Sequence, residues 1–431
     1  MLKRKIKNLC LHCYGELDFK RVCKNCGKED DKSPTPPHHL AKRTLVNKKY
    51  VIIRSIGEGG FGITYLAYDL AFSRPVAIKE YYPSGYVSRA PRTNDVIINA
   101  RENSIQFNRG LRRFIDEAKH LSTINKLDGI VSVLDFFPSN STAYLVMEFL
   151  DGVSLKQYIQ KKGKLDTDTA LTILHPVISS LGAVHDTGLI HRDISPDNIL
   201  ITRNSEVKLI DFGASQDFND TTKSTSIVLK QGFAPEEQYR THGVQGPWSD
   251  IYALAVTIYF CITGQLPPES IQRLYEDTIK PPSTLGSDIK PAQEKALMKA
   301  LAVLAKDRYK NVRDFERDIY SHASRKANTE KKLKLEDDKN LVQKAKPTLE
   351  RISTAKPVQT EKRTISYQRK SLSETLDRKG RVDSIRTKRE VSNKIRKLER
   401  LTSSNEQSVL EGNEEDTRKN SLLDQLFYAE D

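Results

Sequence analysis

From Tyr50 onward the apolar residues come in short β-branched or aliphatic runs, Val51-Ile52-Ile53, Thr64-Tyr65-Leu66-Ala67 and Val76-Ala77-Ile78, separated by glycine, serine and proline. Runs of this length and punctuation predict a meander of strands. Within residues 112–127 the apolar positions Phe114, Ile115, Ala118, Leu121 and Ile124 recur near helical spacing, and strand-like runs follow at 130–136 and 143–149. Beyond Asp151 the pattern turns helical, with candidates at 169–187, 249–263, 291–305 and 312–322. A strand-rich half therefore precedes a helix-rich half, an α+β arrangement.

Upstream, Ser33-Pro34-Thr35-Pro36-Pro37-His38-His39 cannot bury enough apolar surface to fold alone. Residues 31–49 are expected to link a small module, residues 1–30, to a domain spanning 50–322. Beyond about Ala323 the apolar content gives way to Lys, Arg, Glu, Ser and Thr, so 323–431 is expected to be a charged, mostly disordered tail. Within it, Val391, Ile395, Leu398 and Leu401 fall roughly on one face amid basic residues; a solvated charge run is the preferred reading and an amphipathic helix formed on binding the alternative. The run Leu422-Leu423-Asp424-Gln425-Leu426-Phe427 is a short apolar knot after an acidic run, either a peptide that docks on a protein partner or a segment without a role.

Charge changes this picture little. The chain of 431 residues allows two to three domains, and its net +14 is unevenly placed: residues 50–320 carry 31 basic and 32 acidic side chains, so the excess sits on the flanks. Nucleic acid is not an expected partner of the central domain. The longest apolar region, 251–263, is interrupted by Thr257 and too short to span a bilayer, so no transmembrane segment is expected. No apolar core of a signal peptide follows Lys7, and a cytoplasmic location is expected. Four of five cysteines lie in the first 26 residues, which is no disulfide framework for a chain of this size.

The candidate chemistry begins at Gly57-Glu58-Gly59-Gly60-Phe61-Gly62, a glycine turn after a strand, where missing β-carbons let backbone N–H groups approach phosphates. A strand rather than a helix follows it, which argues against a dinucleotide-binding fold. Lys79 ends Val76-Ala77-Ile78-Lys79, and Glu117 lies on the helix candidate. His191-Arg192-Asp193-Ile194-Ser195-Pro196-Asp197-Asn198, Asp211-Phe212-Gly213 and Ala234-Pro235-Glu236 then follow in order.

In this order and spacing the chain resembles a eukaryotic-like protein kinase over about 50–322. The wording of Ala77-Ile78-Lys79-Glu80-Tyr81-Tyr82-Pro83 and Gly232-Phe233-Ala234-Pro235-Glu236-Glu237-Gln238-Tyr239 is similar to bacterial serine/threonine kinases. The resemblance implies a bilobal kinase fold with a strand-rich N-lobe and a helical C-lobe. It also implies ATP binding by Ile56, Gly57, Glu58, Gly59, Gly60, Phe61, Gly62, Ile63, Thr64 and Lys79, with Glu148 and Leu150 at the hinge. Lys79 would hold the α- and β-phosphates and be oriented by Glu117; Asn198 and Asp211 would bind magnesium; Asp193 would accept the substrate hydroxyl proton. Asp250 looks like the aspartate that supports the catalytic loop, and Arg308 like the ion-pair partner of Glu236. The activity implied is transfer of the γ-phosphoryl group of ATP to Ser/Thr hydroxyls of proteins, including the chain itself. A pseudokinase scaffold, or a zinc-ribbon binding protein whose kinase fold is secondary, stays open, although Lys79, Asp193 and Asp211 are all present.

Two departures from the family stand out. Thr64 replaces the valine that usually covers the adenine. Ser195 stands where serine/threonine kinases usually have lysine, and Leu229, in the segment before Ala234-Pro235-Glu236, where they usually have threonine. These two family residues contact each other and the catalytic aspartate. The stretch between Lys79 and Glu117 is longer than usual and holds Arg89, Arg92, Arg101 and Arg109, expected to be a solvated insertion. The cluster Thr221, Thr222, Ser224, Thr225 and Ser226 is the expected switch, with Thr225, eleven residues before Glu236, its leading site and Arg192 the phosphate's partner.

The first module holds Cys10-x-x-Cys13, nine residues, then Cys23-x-x-Cys26. Two such knuckles present four thiolates that meet the tetrahedral demand of zinc, the reading preferred here; two redox pairs or free thiols are the competing ones.

Overall fold

The computed structural model describes residues 2–124, 127–212, 230–240 and 243–321, and the backbone of 216–217. The tail from 323, with its amphipathic stretch and docking peptide, and the hydroxyl cluster at 221–226 lie outside the described residues.

The chain opens with helix α1 (Leu2–Lys7) and the cysteine knuckles, then builds an antiparallel sheet from β1 (Leu45–Val46), β2 (Tyr50–Gly59), β3 (Gly62–Asp69) and β4 (Arg74–Tyr81). A small hairpin, β5 (Val87–Arg89) and β6 (Val96–Ile98), precedes helix α2 (Ser104–Thr123). Strands β7 (Val133–Ser139) and β8 (Thr142–Glu148) complete the sheet in the order β1-β2-β3-β4-β8-β7. The lower part holds β9 (Gly152–Ser154), α3 (Leu155–Lys162), α4 (Thr167–Asp186), β10 (Leu189–Ile190), β11 (Ile199–Thr202), β12 (Val207–Leu209) and β13 (Gln216–Asp217). Helices α5 (Pro247–Thr263), α6 (Ser270–Arg273), α7 (Pro291–Ala300) and α8 (Val312–Ile319) follow. The expected order of strands before helices is thus present.

Local chemistry sets the ends of these elements. Asp166 accepts from the Thr169 backbone N–H at the start of α4, and Ser154 and Gln157 form a capping box on α3. Gly264, at φ 74°, closes α5 in the left-handed conformation that other residues resist. Helix α5 is buried almost all round, Ile251, Tyr252, Leu254, Ala255, Val256, Ile258 and Cys261 among its core residues, which explains its long, largely apolar run.

The run Val51-Ile52-Ile53 is apolar at every position because both sheet faces are covered. Tyr50 and Ile52 enter the main core, whereas Val51 and Ile53, with Leu66 of β3, pack against Ile6, Leu9 and Leu11 of the cysteine module. Tyr14 stacks on Tyr68 with ring centroids 4.6 Å apart. Arg43 donates to the Leu9 carbonyl at 2.8 Å and pairs with Asp30, which also receives Arg21.

Residues 31–49, expected as a linker, are built into this lobe. Leu40 is buried, its N–H donates to the Tyr65 hydroxyl at 3.1 Å, and β1 adds a strand beside β2. The segment buries little by its own composition; the cysteine module and the sheet supply the surfaces it lies on.

The long insertion after Lys79 is likewise not simply solvated. The Arg89 side chain is buried and its guanidinium meets the Glu80 carboxylate at 2.6 Å. Glu80 is fully buried on β4 and also accepts from the Tyr65 and Tyr144 hydroxyls at 2.8 and 2.7 Å. A carboxylate there requires a full set of donors, and the insertion brings the charged one.

Candidate active site

The glycine-rich turn joins β2 to β3. A β-carbon at Gly62 would lie 2.3 Å from the Glu80 carbonyl oxygen, so only glycine lets β3 approach β4 this closely. Glu58 in this turn is held by His38 and His39, whose Nε2 atoms lie 3.0 and 3.1 Å from its two carboxylate oxygens. His39 also meets the Ser55 hydroxyl at 3.1 Å, and its burial lowers the imidazole pKa.

Below the turn, Lys79 on β4 is buried and its ammonium pairs with Asp211. Glu117 on α2, expected to orient Lys79, is buried nearby without an ion pair to it, and its Oε1 has no hydrogen-bond partner. Burial, only partly offset by the charge of Lys79, pushes its carboxyl up to about 8.

The loop between β10 and β11 carries Asp193, and Asp250 in the first turn of α5 shapes it. Fully buried, Asp250 accepts from the backbone N–H groups of His191 and Arg192 at 2.8 Å each and meets His185 Nε2 at 2.8 Å. Burial alone would raise its carboxyl, but the hydrogen bond and charge of His185 prevail and hold it below the ordinary value. These bonds maintain Arg192 at φ 68°, a left-handed conformation costly for a side chain. Asp211 sits at φ 63°, and the Phe212 ring packs edge-on against His191 at 4.4 Å. Asn198 donates through Nδ2 to the carbonyl and the carboxylate of Asp193, both at 2.8 Å.

A cavity of about 600 Å³ runs from Gly57–Gly62 and Thr64 across Lys79 to Arg192, Asp193, Ile194 and Asp211. It thus gathers the glycine turn, the strand lysine and both aspartates. Ile56, Ile63, Glu117, Glu148, Leu150 and Asn198 are outside its lining. Glu148 instead ties the sheet to β12 of the lower part, its carboxylate accepting from the Ser132 N–H and from Lys208, both at 2.8 Å.

The segment behind the cavity differs from expectation. Arg308 forms its two-pronged pair with Glu237, at 2.8 and 3.1 Å, while Glu236 pairs with Arg240. The sequence pattern assigns Arg308 to Glu236; two adjacent glutamates make the register ambiguous by one residue, and the fully buried guanidinium selects the second. Lys230, which also lines the cavity, donates to the Ser195 hydroxyl at 2.7 Å and pairs with Asp197 at 2.7 Å. Lys156 meets the same Asp197 at 3.1 Å.

Sequence reasoning passes over His185, Lys230, Glu237 and the pair His38-His39. The doubled glutamate signals the register, and a lysine seven residues before Glu237 is visible; the histidine contacts depend on tertiary placement.

In the first module the four sulfur atoms of Cys10, Cys13, Cys23 and Cys26 lie within 4.8 Å of one another, with Cys13–Cys23 at 3.4 Å and Cys10–Cys26 at 3.8 Å. A tetrahedron of thiolates at about 2.3 Å from zinc has edges of about 3.8 Å, so the donor set fits that ion. Backbone N–H groups of His12 and Asn25 point at the Cys10 and Cys23 sulfurs, both at 3.4 Å, and a β-carbon on Gly15 would lie a tight 3.1 Å from the Asn25 β-carbon.

Residues 50–307 match the family described as protein kinase domain. The chain is 30% identical over 322 residues to serine/threonine-protein kinase PrkC of Bacillus subtilis, covering 72% of this chain and 46% of that protein. It is 31% identical over 300 residues to serine/threonine-protein kinase PknB of Mycolicibacterium smegmatis, covering 66% and 44%. The chain thus spans less than half the length of these curated relatives. Among solved structures, "PpkA-294 apo form" superposes with a TM-score of 0.57 at 35% identity, covering 65% of this chain and 99% of that one. Among the described residues no helix is long and apolar enough to cross a membrane. With the glycine turn, Lys79, Asp193 and Asp211 around one cleft, and with this family match over more than half its length, the chain belongs to the protein kinase family.

Proposed function

We propose that the chain is an ATP-dependent serine/threonine protein kinase that phosphorylates protein hydroxyls, including its own. The observation that carries this reading is the placement of Asp193, fixed by Asn198, opposite Asp211 and Lys79 and beneath the glycine turn in one cavity. Phosphoryl transfer requires of a protein chiefly that it align two oxygens and neutralise charge, and these are the groups that do so. Asp193 accepts the proton of the attacking hydroxyl. Lys79 meets the phosphates. Asn198 gives its N–H₂ to Asp193, which leaves its side-chain oxygen to act with Asp211 as a hard donor pair for magnesium. Bound there, magnesium neutralises charge on the phosphates.

The four cysteines hold a structural zinc ion, supported by their mutual distances and their N–H···S contacts. Protein substrates are the expected partners.

Incubation of the purified chain with labelled ATP and magnesium, followed by identification of the phosphorylated residue type, tests the proposal. Asp193→Asn and Asp211→Asn are each expected to abolish incorporation while melting near the wild-type temperature. Incorporation at the wild-type rate in either variant overturns the assigned roles, and an inert wild type favours the scaffold reading.

A further inference from the structure

A dissociative transition state places charge on the equatorial oxygens of the moving phosphoryl group, so a cation is required close to the proton acceptor. Lys79 answers to Asp211 at the opposite side of the cleft. Ser195, two residues after Asp193, is fully buried and uncharged. The loop bearing the proton acceptor therefore lacks its own lysine.

Lys230 enters this gap from the other wall. Its ammonium lies 2.7 Å from the Ser195 hydroxyl, and it lines the cavity with Asp193 and Asp211. Its bond to Asp197 does not cancel it, because Asp197 is shared with Lys156: two ammonium groups and one carboxylate leave one net positive charge. Register makes the relation reciprocal. Counted from Glu236, the threonine position of the resemblance falls on Leu229; counted from Glu237, the glutamate that Arg308 holds, it falls on Lys230. Where the resembling enzymes have lysine in the loop and hydroxyl in the wall, this chain has hydroxyl in the loop and lysine in the wall.

We propose that Lys230 supplies the cation that meets the transferring phosphoryl group beside Asp193, with Ser195 positioning it, the ammonium and the hydroxyl having exchanged places. In the step, the substrate oxygen forms a bond to the γ-phosphorus as the bond to the β–γ bridging oxygen breaks. The hydroxyl proton passes to Asp193, the leaving electron pair stays on ADP, and Lys230 keeps its protons throughout. This inference rests on the kinase reading.

The experiment compares the full-length wild type, Lys230→Thr, Ser195→Lys and the double variant Ser195→Lys/Lys230→Thr with magnesium-ATP and a serine-containing acceptor peptide. Lys230→Thr is expected to lower kcat on the order of 10²-fold while KM for ATP moves less than about threefold, because the charge acts on the transition state. Returning the lysine to the loop in the double variant should recover at least about tenfold of that loss, a rescue that a purely structural tether would not show. If Lys230→Thr melts below the assay temperature, Lys230→Gln, which can still donate to Ser195 but carries no charge, is expected to show the same loss. The proposal is overturned by near-wild-type kcat in Lys230→Thr or Lys230→Gln, or by a folded double variant as slow as Lys230→Thr. An inactive wild type would instead refute the kinase reading.

Discussion

At Glu117 two demands conflict. A carboxylate beside Lys79 would gain from its charge, yet the site is buried and the ammonium is engaged by Asp211. The protonated form is therefore favoured, and the carboxyl titrates at about 8 instead of its usual 4.5. Between these values the folded chain holds a proton that the unfolded chain has released, so stability falls as pH rises from about 4.5 to about 8 and is level beyond. The effect is at most a few kcal/mol. Glu117→Gln removes this titration, and its melting temperature without nucleotide should fall less between pH 5.5 and 8.5 than that of the wild type; parallel slopes would exclude Glu117 as the source. Lys79, Asp193 and Asp211 are legible as residues because their spacing is tied to the chemistry. Which carboxylate Lys79 faces is not, since Asp211 and Glu117 both qualify on paper and only folded geometry chooses.

Among the elements, strands are legible where alternation or flanking turns expose them, as in β2 and β3. Helix α2 begins earlier than its apolar pattern announces, because its first turns carry Gly110 and few apolar residues. Gly110 is there for packing: a β-carbon would lie 2.0 Å from the Tyr81 hydroxyl, so tertiary contact overrides propensity. The doubled glutamate at 236–237 shows how one residue of register redirects a whole wall. Removing one partner of a buried ion pair costs about 3–5 kcal/mol, so Glu237→Gln should lower the melting temperature sharply and Glu236→Gln much less. Comparable losses from both would contradict the pairing. The same shift moves the expected switch: eleven residues before Glu237 is Ser226 rather than Thr225. Phosphopeptide mapping of the active chain is expected to find phosphate on Ser226 or its neighbour Thr225, and Ser226→Ala should reduce activity more than Thr221→Ala. An unmodified cluster in the active enzyme would refute it.

At the scale of the whole molecule, the cysteine module is part of the N-lobe. Ile6, Leu9 and Leu11 cover Val51, Ile53 and Leu66, and burial of such aliphatic side chains contributes roughly 1.5–3 kcal/mol each. Cys10→Ser/Cys13→Ser should lose about one zinc per chain and also lower the melting temperature of the kinase lobe, since the module can no longer present these residues. Zinc loss with an unchanged lobe transition would show the two to be independent. Composition suggests a linker here because docking is a property of two surfaces, and neither advertises the other in its own residues.

The imidazole pair on Glu58 gives this arrangement a thermodynamic symmetry. Residues 38 and 39 hold the glycine turn, and five residues on from His38, Arg43 holds the Leu9 carbonyl and Asp30 of the cysteine module. A ligand that displaces Glu58 works against those bonds, and binding free energies are reciprocal. Whatever factor a metal ion on the four cysteines imposes on nucleotide affinity, bound nucleotide must return, undiminished, to the affinity of the cysteines for that ion.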